Sequence, residues 1–207
     1  MPCSSLPARQ MAFIRSSPQE RRAARRRHVL QSARLGFQEN GFHATSMDDI
    51  IRASGLSAGA VYGYFKGKDE LILAAADASM MELREEIAPL LRNPVQSPGD
   101  FLKRVKKAID SVSDRGPIDL RRMAVLGWAE AQCNEALRQR LSSHYGDLLA
   151  RMTDIVEACQ ERRIETNADA IETGKLMLSV LFGTFAQASI WADEADTSIF
   201  SALEDNI

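Results

Sequence analysis

Residues 46–65, SMDDIIRASGLSAGAVYGYF, predict two short helices separated by a tight turn. Ser46 can cap the first helix, because its hydroxyl accepts a hydrogen bond from an amide two or three residues later. Apolar residues spaced by three and four then give this helix one buried face. Gly55 can take the left-handed conformation that ends a helix, and Ser57 can cap a second helix from Ala58 to Phe65.

The second helix begins with three residues that have little or no side chain, at positions 58–60. Small residues suit a helix whose first turn enters a groove, and the amide end of a helix favours a phosphate. Val61 and Phe65 can anchor this helix to a core. Tyr62 and Tyr64 cannot both point inward with them, so at least one hydroxyl is available to a partner. This layout is typical of a helix-turn-helix whose second helix reads the major groove.

The tetracycline-repressor (TetR) family of bacterial transcription regulators has a DNA-binding motif that resembles residues 46–71, SMDDIIRASGLSAGAVYGYFKGKDEL. The shared features are a Thr-Ser start, a Gly in the turn, a small-residue start to the recognition helix, a Tyr-x-Tyr-Phe end, and a Lys before Glu70-Leu71. The preceding ARLGFQENGFHATS also resembles the end of the first family helix and its turn. The resemblance covers roughly residues 22–80, and the remaining chain is similar to the family only in length and helical content.

DNA contacts are expected from the helix-turn-helix and its flanks. Five Arg within residues 21–27 are either a solvated helix face or phosphate contacts, and we favour phosphate contact beside this motif. The hydroxyls of Thr45 and Ser46 either touch phosphate or only cap, and both roles can hold. The resemblance gives Lys68 the role of a backbone clamp. The expected DNA-binding residues are Arg27, Thr45, Ser46, Ser57, Ala58, Gly59, Ala60, Tyr62, Tyr64 and Lys68.

The recognition helix lacks Arg, Asn and Gln, so bidentate base contacts are scarce. Specificity is then expected from thymine methyl groups, tyrosine hydroxyls and DNA shape. Charge is divided along the chain, whose formal net charge is -2. Residues 1–70 hold 11 basic and 6 acidic side chains, whereas residues 71–207 hold 15 and 22. This division indicates that only the basic N-terminal part, here called the head, approaches a polyanion.

Composition excludes several classes of protein. Three cysteines are an odd number without metal-ligand spacing, which favours a reducing cytoplasm over a disulfide scaffold. No apolar run has the length of a membrane span, and the first residues lack the apolar segment of a signal peptide. No constellation of catalytic or metal-binding residues is evident, so we predict a cytoplasmic protein that is not an enzyme and has no cofactor.

The periodicity predicts an all-α protein of about nine helices in two domains. Residues 1–17 are expected to be a disordered arm, within which Met11 is an alternative start. Residues 18–67 form the helix-turn-helix domain, and residues 68–207 form a regulatory and dimerisation domain. A fourth helix beginning at about residue 68 links the two. In the regulatory and dimerisation domain, here called the body, five residues are expected either to line a ligand pocket or to form ordinary core: Phe101, Met123, Trp128, Tyr145 and Met152.

The eighth predicted helix, from Ala168 to Ala192, is apolar nearly all round. Such a helix must be buried on all sides, which favours a two-fold dimer interface with a ninth helix at 197–203 over a central helix of a monomer. A family interface of four helices is implied by the resemblance. The expected interface residues are Met177, Val180, Leu181, Gly183, Thr184, Phe185 and Ala188.

The resemblance implies a ligand-responsive repressor that binds a palindromic operator as a homodimer. A small-molecule effector in the body would move the fourth helix and release the DNA. Three alternatives stay open: a ligand-independent regulator or activator of the same fold, a body that is a protein-interaction module, and an enzyme fused to a DNA-binding head. A ligand-sized apolar cavity would favour the sensor, and a solid core would favour the interaction module.

Overall fold

The computed structural model describes residues 17–90, 95–162 and 169–191. These residues form eight α helices, which confirms the all-α prediction: α1 Pro18–Ala44, α2 Met47–Ser54, α3 Ala58–Tyr62, α4 Lys68–Ile87, α5 Pro98–Arg115, α6 Leu120–Glu130, α7 Glu135–Glu161 and α8 Ala170–Trp191. The predicted ninth helix and residues 1–16 of the predicted arm lie outside the described residues.

The ends of α1 follow from its sequence. Ser17 accepts a hydrogen bond from the Glu20 amide while the Glu20 carboxylate accepts one from the Ser17 amide, so a capping box starts the helix. Near the other end, Gly41 has a φ of 81° and kinks the chain before a final turn. Gly41 therefore interrupts α1 where a stop was predicted, and the kink directs Phe42 back under the motif.

Two caps and one glycine set the helix-turn-helix. Ser46 caps α2 through the Asp49 amide, Gly55 ends it with a φ of 65°, and Ser57 caps α3 through the Ala60 amide. α3 stops at Tyr62, before the predicted end at Phe65. There the amide of Tyr64 bonds to the carbonyl three residues back, so the last turn tightens into a non-α geometry.

A small apolar core fixes the recognition helix on the head. Val61 and Phe65 are fully buried, as are Val29 and Phe37 of α1. The Phe37 and Phe42 rings meet edge to face with their centroids 4.9 Å apart. Because Val61 faces this core, the opposite side of α3 must face outward.

The body is built around an antiparallel pair, α7 and α8. Gly174 packs against Thr153 and Leu149, whereas Phe182 packs against Tyr145 further back along α7, so the two helices run in opposite directions. Gly174 is required there, because a Cβ atom would lie 2.9 Å from the Thr153 hydroxyl oxygen.

Within one subunit, α8 is buried along one stripe and exposed along the other. Its inner stripe belongs to the core of its own subunit, and four predicted interface residues lie on it: Met177, Leu181, Thr184 and Phe185. The outer side keeps Ile171, Leu176 and Ile190 exposed, and Val180, Gly183 and Ala188 are partly exposed beside it. A helix apolar all round can therefore bury one stripe within the subunit and leave the other uncovered.

α1, α4 and α6 join the head to the body. Arg34 of α1 is 6% exposed and forms two hydrogen bonds, of 2.6 and 2.7 Å, with the Glu82 carboxylate of α4. Gln38 accepts a hydrogen bond of 2.6 Å from the Asp119 amide at the start of α6. The head is thus held to α4 by a partly buried ion pair and to α6 by a hydrogen bond from a backbone amide.

Candidate nucleic-acid interface and body cavity

The outer side of α3 presents small side chains and one large one. Ser57, Ala58 and Gly59 are exposed, and a Cβ atom added to Gly59 would meet nothing within 4 Å. Tyr62 is 48% exposed, which is unusual for a large aromatic side chain. Ala60 is partly exposed. The structure therefore brings the predicted base-reading residues of α3 onto one open surface.

A basic groove lies beside this surface. Arg21, Arg22 and Arg25 of α1 line it together with residues of and next to α3: Pro18, Gly59, Ala60, Gly63 and Tyr64. Its volume is about 440 Å³. Guanidinium groups next to an exposed recognition helix can bind DNA phosphates while the helix contacts base edges. We call this surface the basic groove.

The sequence analysis favoured phosphate contact for all five Arg within residues 21–27 and named Arg27 among the expected DNA-binding residues. Arg27 is exposed but lies in a different groove, with α4 and the turn before α6. Its neighbour Arg26 places its guanidinium carbon 4.5 Å from the centre of the Phe65 ring. Helical spacing could have grouped the three arginines of the basic groove, because spacings of three and four put residues 21, 22 and 25 on one helix face.

Thr45 is a correction to the predicted phosphate contacts. Its side chain is 1% exposed, and its hydroxyl lies 2.9 Å from the Gly36 carbonyl and 2.8 Å from that of Gly41. The hydroxyl therefore satisfies the kinked end of α1 and is not presented to DNA. Its methyl group also lies 3.0 Å from where a Cβ of Gly36 would be, so these two residues pack without spare room.

Ser46 and Lys68 remain at the surface of the head. Ser46 is exposed and bonds Asp49, whose pKa is lowered by the hydrogen bonds from the Ser46 hydroxyl and amide. The ammonium of Lys68 lies 3.3 Å from the His43 carbonyl at the end of α1. Lys68 starts α4 without a side-chain cap, so a cation occupies the positive end of the helix dipole.

The predicted pocket residues are separated in the body. Met123 and Tyr145 line an apolar cavity of about 40 Å³, whose other walls include Met80 and Leu83 of α4. Trp128 lies next to it, donating a 2.6 Å hydrogen bond to the Tyr145 hydroxyl. Burial raises the pKa of Tyr145. Phe101 and Met152 are buried in the core without lining this cavity.

Within the three described ranges, no group of His, Cys, Asp and Glu residues could hold a metal ion. No described helix is long and apolar enough to cross a membrane. Cys133 is exposed before α7, and Cys159 is buried near its far end. α7 lies between them, and at about 1.5 Å per residue it separates them by more than 30 Å. The two thiols therefore cannot pair within a subunit.

Residues 29–75 match the model of a family described as bacterial regulatory proteins, tetR family. The HTH-type transcriptional regulator UidR of Escherichia coli K12 is 25% identical over 162 residues, which are 78% of this chain and 80% of UidR. Salmonella enterica GusR superimposes with a TM-score of 0.70 and 25% identity, over 92% of this chain and 95% of GusR.

A transcriptional regulator from Saccharomonospora viridis in complex with choline has a TM-score of 0.75 and 17% identity, over 88% of this chain and 95% of that one. At that identity it shows the shared fold alone. The family match covers the helix-turn-helix described above, and UidR and GusR extend the similarity through the body. Together these similarities support a TetR family transcriptional regulator whose helix-turn-helix, within residues 29–75, matches the DNA-binding domain of that family.

Proposed function

We propose that the protein is a ligand-responsive repressor that binds a palindromic operator as a homodimer and is released by a small molecule. The observation that carries the proposal is the exposed side of α3 beside the basic groove. Its operator is DNA, so its place of action is the cytoplasm, where bacterial DNA lies.

Base reading is assigned to α3 and phosphate binding to α1. The exposed Tyr62 can contact base edges or a phosphate. The small residues 57–60 allow the α3 backbone to come close to the floor of the DNA major groove. Arg21, Arg22 and Arg25 would neutralise phosphates on one flank. Ser46 and Lys68 are assigned to contacts with the DNA phosphate backbone. They lie at the other end of the motif, beside the start of α2.

Dimerisation is assigned to the outer side of α8. Leu176 is 45% exposed and Ile190 is 70% exposed, and Val180 and Gly183 continue the row between them. A C2 contact of this row with its copy would cover the apolar face and place two heads about a two-fold axis. Two such heads match the half-sites of a palindrome.

Release is assigned to α4, which touches both the head and the body cavity. Ala76, Ser79, Met80 and Leu83 of α4 line the cavity, and Glu82 on the same helix pairs with Arg34 of the head. A ligand that enlarges the cavity therefore displaces the helix that carries the head. Such coupling is reciprocal, so operator DNA must weaken ligand binding by the same factor.

The small size of the cavity supports a second candidate function. About 40 Å³ is little more than the space of one water molecule, whereas ligand pockets generally measure roughly 300 Å³ or more. The second candidate is a ligand-independent regulator or activator of the same fold, whose body is a protein-interaction module. Ligand-dependent loss of operator binding by the purified protein would exclude it.

Fluorescence anisotropy against a pool of short duplexes, at several salt concentrations, tests the DNA assignment. We expect two subunits per bound duplex and a preference for a subset of sequences. Tyr62→Ala should weaken binding to the selected duplexes by about tenfold. Replacing Arg21, Arg22 and Arg25 by Gln should lower the salt slope by about 5, because a dimer loses six phosphate contacts.

Arg122→Gln is the matched control, because Arg122 is an exposed arginine on α6 and does not line the basic groove. It should change neither selectivity nor salt slope. Equal, weak binding to every duplex, unaffected by Tyr62→Ala, would contradict sequence reading by α3.

A further inference from the structure

A second space opens between α4 and α7, on the side of α7 away from α8. It measures about 270 Å³ and is lined by nine residues of the two helices and by Ala88, just after α4. Its apolar floor includes Met80, Leu83 and Leu148. We call this space the α4/α7 groove.

The α4/α7 groove is separated from the body cavity by side chains alone. Met80, Leu83 and Leu148 line both spaces. Met80 is an unbranched thioether that changes rotamer easily. A rotation of Met80 would join the two spaces into one that reaches the size range of small-molecule pockets.

The mouth of the α4/α7 groove carries two guanidinium groups and one carboxylate, from Arg84, Arg151 and Glu85. Arg84 is already engaged, since its guanidinium forms an ion pair with Asp147 and lies 3.2 Å from His144 Nδ1. The α4/α7 groove therefore leaves one guanidinium, that of Arg151, for a ligand, with an apolar floor beneath it.

Arg151 differs from Arg84 because it is exposed and has no hydrogen-bond or ion-pair partner among the residues that the structure describes. Its planar fork of donors is therefore available to an anion from solvent. A guanidinium binds a carboxylate in a bidentate manner, and the pair is stronger than a neutral hydrogen bond.

We propose that the effector is a small monocarboxylate with an apolar body, bound in the α4/α7 groove with its carboxylate on Arg151 and its apolar end directed past Met80 towards the body cavity. The inference rests on the proposed ligand-responsive function and names the chemical class of the ligand and its route of entry.

Entry by this route bears directly on α4. His144 Nε2 lies 3.0 Å from the Asp77 carboxylate, and its Nδ1 accepts from Arg84, so this histidine links two positions of α4 to α7. A ligand wedged between the helices separates Arg84 from Asp147 and His144. The same ligand thus occupies the site and weakens the contacts that hold α4 on the body.

Isothermal titration calorimetry of the full-length protein without DNA tests the chemistry of the site. The probes are 4-phenylbutyrate, 4-phenylbutan-1-ol and 4-phenylbutylamine, which share one apolar body and differ in charge. We expect the carboxylate to bind about tenfold more tightly than the alcohol or the amine, as for a hydrogen bond to a charged group. Arg151→Gln should abolish that difference, and the control Arg122→Gln should leave it intact.

Equal affinity for carboxylate and alcohol, or full carboxylate affinity in Arg151→Gln, would overturn the inference. Anisotropy of the operator complex with the same probes separates the inference from the proposed function. Arg151-dependent binding without operator release supports the site and contradicts ligand-released repression. Operator release by the alcohol alone supports repression and overturns the carboxylate class.

Discussion

Hydroxyl side chains in the head show which residue roles depend on local sequence alone. The caps at Ser46 and Ser57 were predictable, because a cap needs only the amide two or three residues ahead. Thr45 was not, because its partners include the Gly36 carbonyl nine residues earlier, which comes close only when Gly41 kinks α1. An open surface position could not be told from a buried one at neighbouring residues 45 and 46.

Asp119 at the start of α6 gives a prediction for stability in acid. Burial alone would raise its pKa, but hydrogen bonds and charge from Arg121, with the amides of Arg121 and Arg122, outweigh burial and lower the pKa below its ordinary 3.8. A depressed folded-state pKa stabilises the folded protein above the unfolded pKa, and this contribution is lost as pH falls through the folded value.

We therefore expect Asp119→Asn to lower the free energy of unfolding by about 1 kcal/mol at neutral pH, allowing for partial solvent screening. The difference from the unmodified protein should hold down to about pH 4 and shrink at lower pH. Urea unfolding at a series of pH values measures it. A difference that stays constant to about pH 2.5 would mean that the charge of Asp119 does not contribute.

At the scale of the helix, α8 shows the limit of periodicity. In α7 the apolar residues recur every three or four positions with polar residues between them. Its buried stripe, which includes Leu141, Leu148 and Met152, was therefore visible in the sequence. In α8 the polar residues Glu172, Lys175 and Ser179 face out, but Thr173 and Thr184 are buried, so polarity alone did not separate the two sides. Helix existence was therefore predictable, whereas the direction of Met177 and Leu181 required the packed structure.

A charge on the outer side of α8 should prevent dimerisation. We expect Leu176→Glu and Ile190→Glu each to weaken self-association by tenfold or more, because a carboxylate would be buried without a partner. Sedimentation velocity across a concentration series measures the change, with circular dichroism to confirm the helical content.

Met81→Glu is the matched control, since Met81 is an exposed apolar residue on α4 and 61% of it is accessible. It should leave the self-association constant unchanged. Dimers of full strength in both α8 variants would show that another surface forms the interface.

For the whole molecule, the order of the helices could be predicted from the motif, the caps and the apolar periodicity. The contacts between head and body could not, because they join residues far apart in sequence. Arg34 and Glu82 are separated by 48 positions, and Gln38 and Asp119 by 81. The cavity was predicted from residue type alone, which explains why only Met123 and Tyr145 of five candidates line it.

A double-mutant cycle on Arg34 and Glu82 would measure how strongly this ion pair fixes the head to α4. We expect Arg34→Met to lower the free energy of unfolding by about 2 kcal/mol, less than for a fully buried pair because Glu82 is 39% exposed. The double variant Arg34→Met with Glu82→Leu should recover about half of the loss. Additive effects in this double-mutant cycle would show that the two side chains are not coupled.

The N-terminal turns of α1 have a consequence for the temperature dependence of DNA binding. No side chain from Pro18 to His28 is buried, although this segment carries the arginines of the basic groove. A helical segment of this length is marginal in water when it has little tertiary packing, so we expect the first turns of α1 to open before the body unfolds. Binding DNA then includes the completion of a helix, and heating weakens the complex through the melting of α1 before the body unfolds. The affinity of the regulator would accordingly report temperature as well as effector concentration.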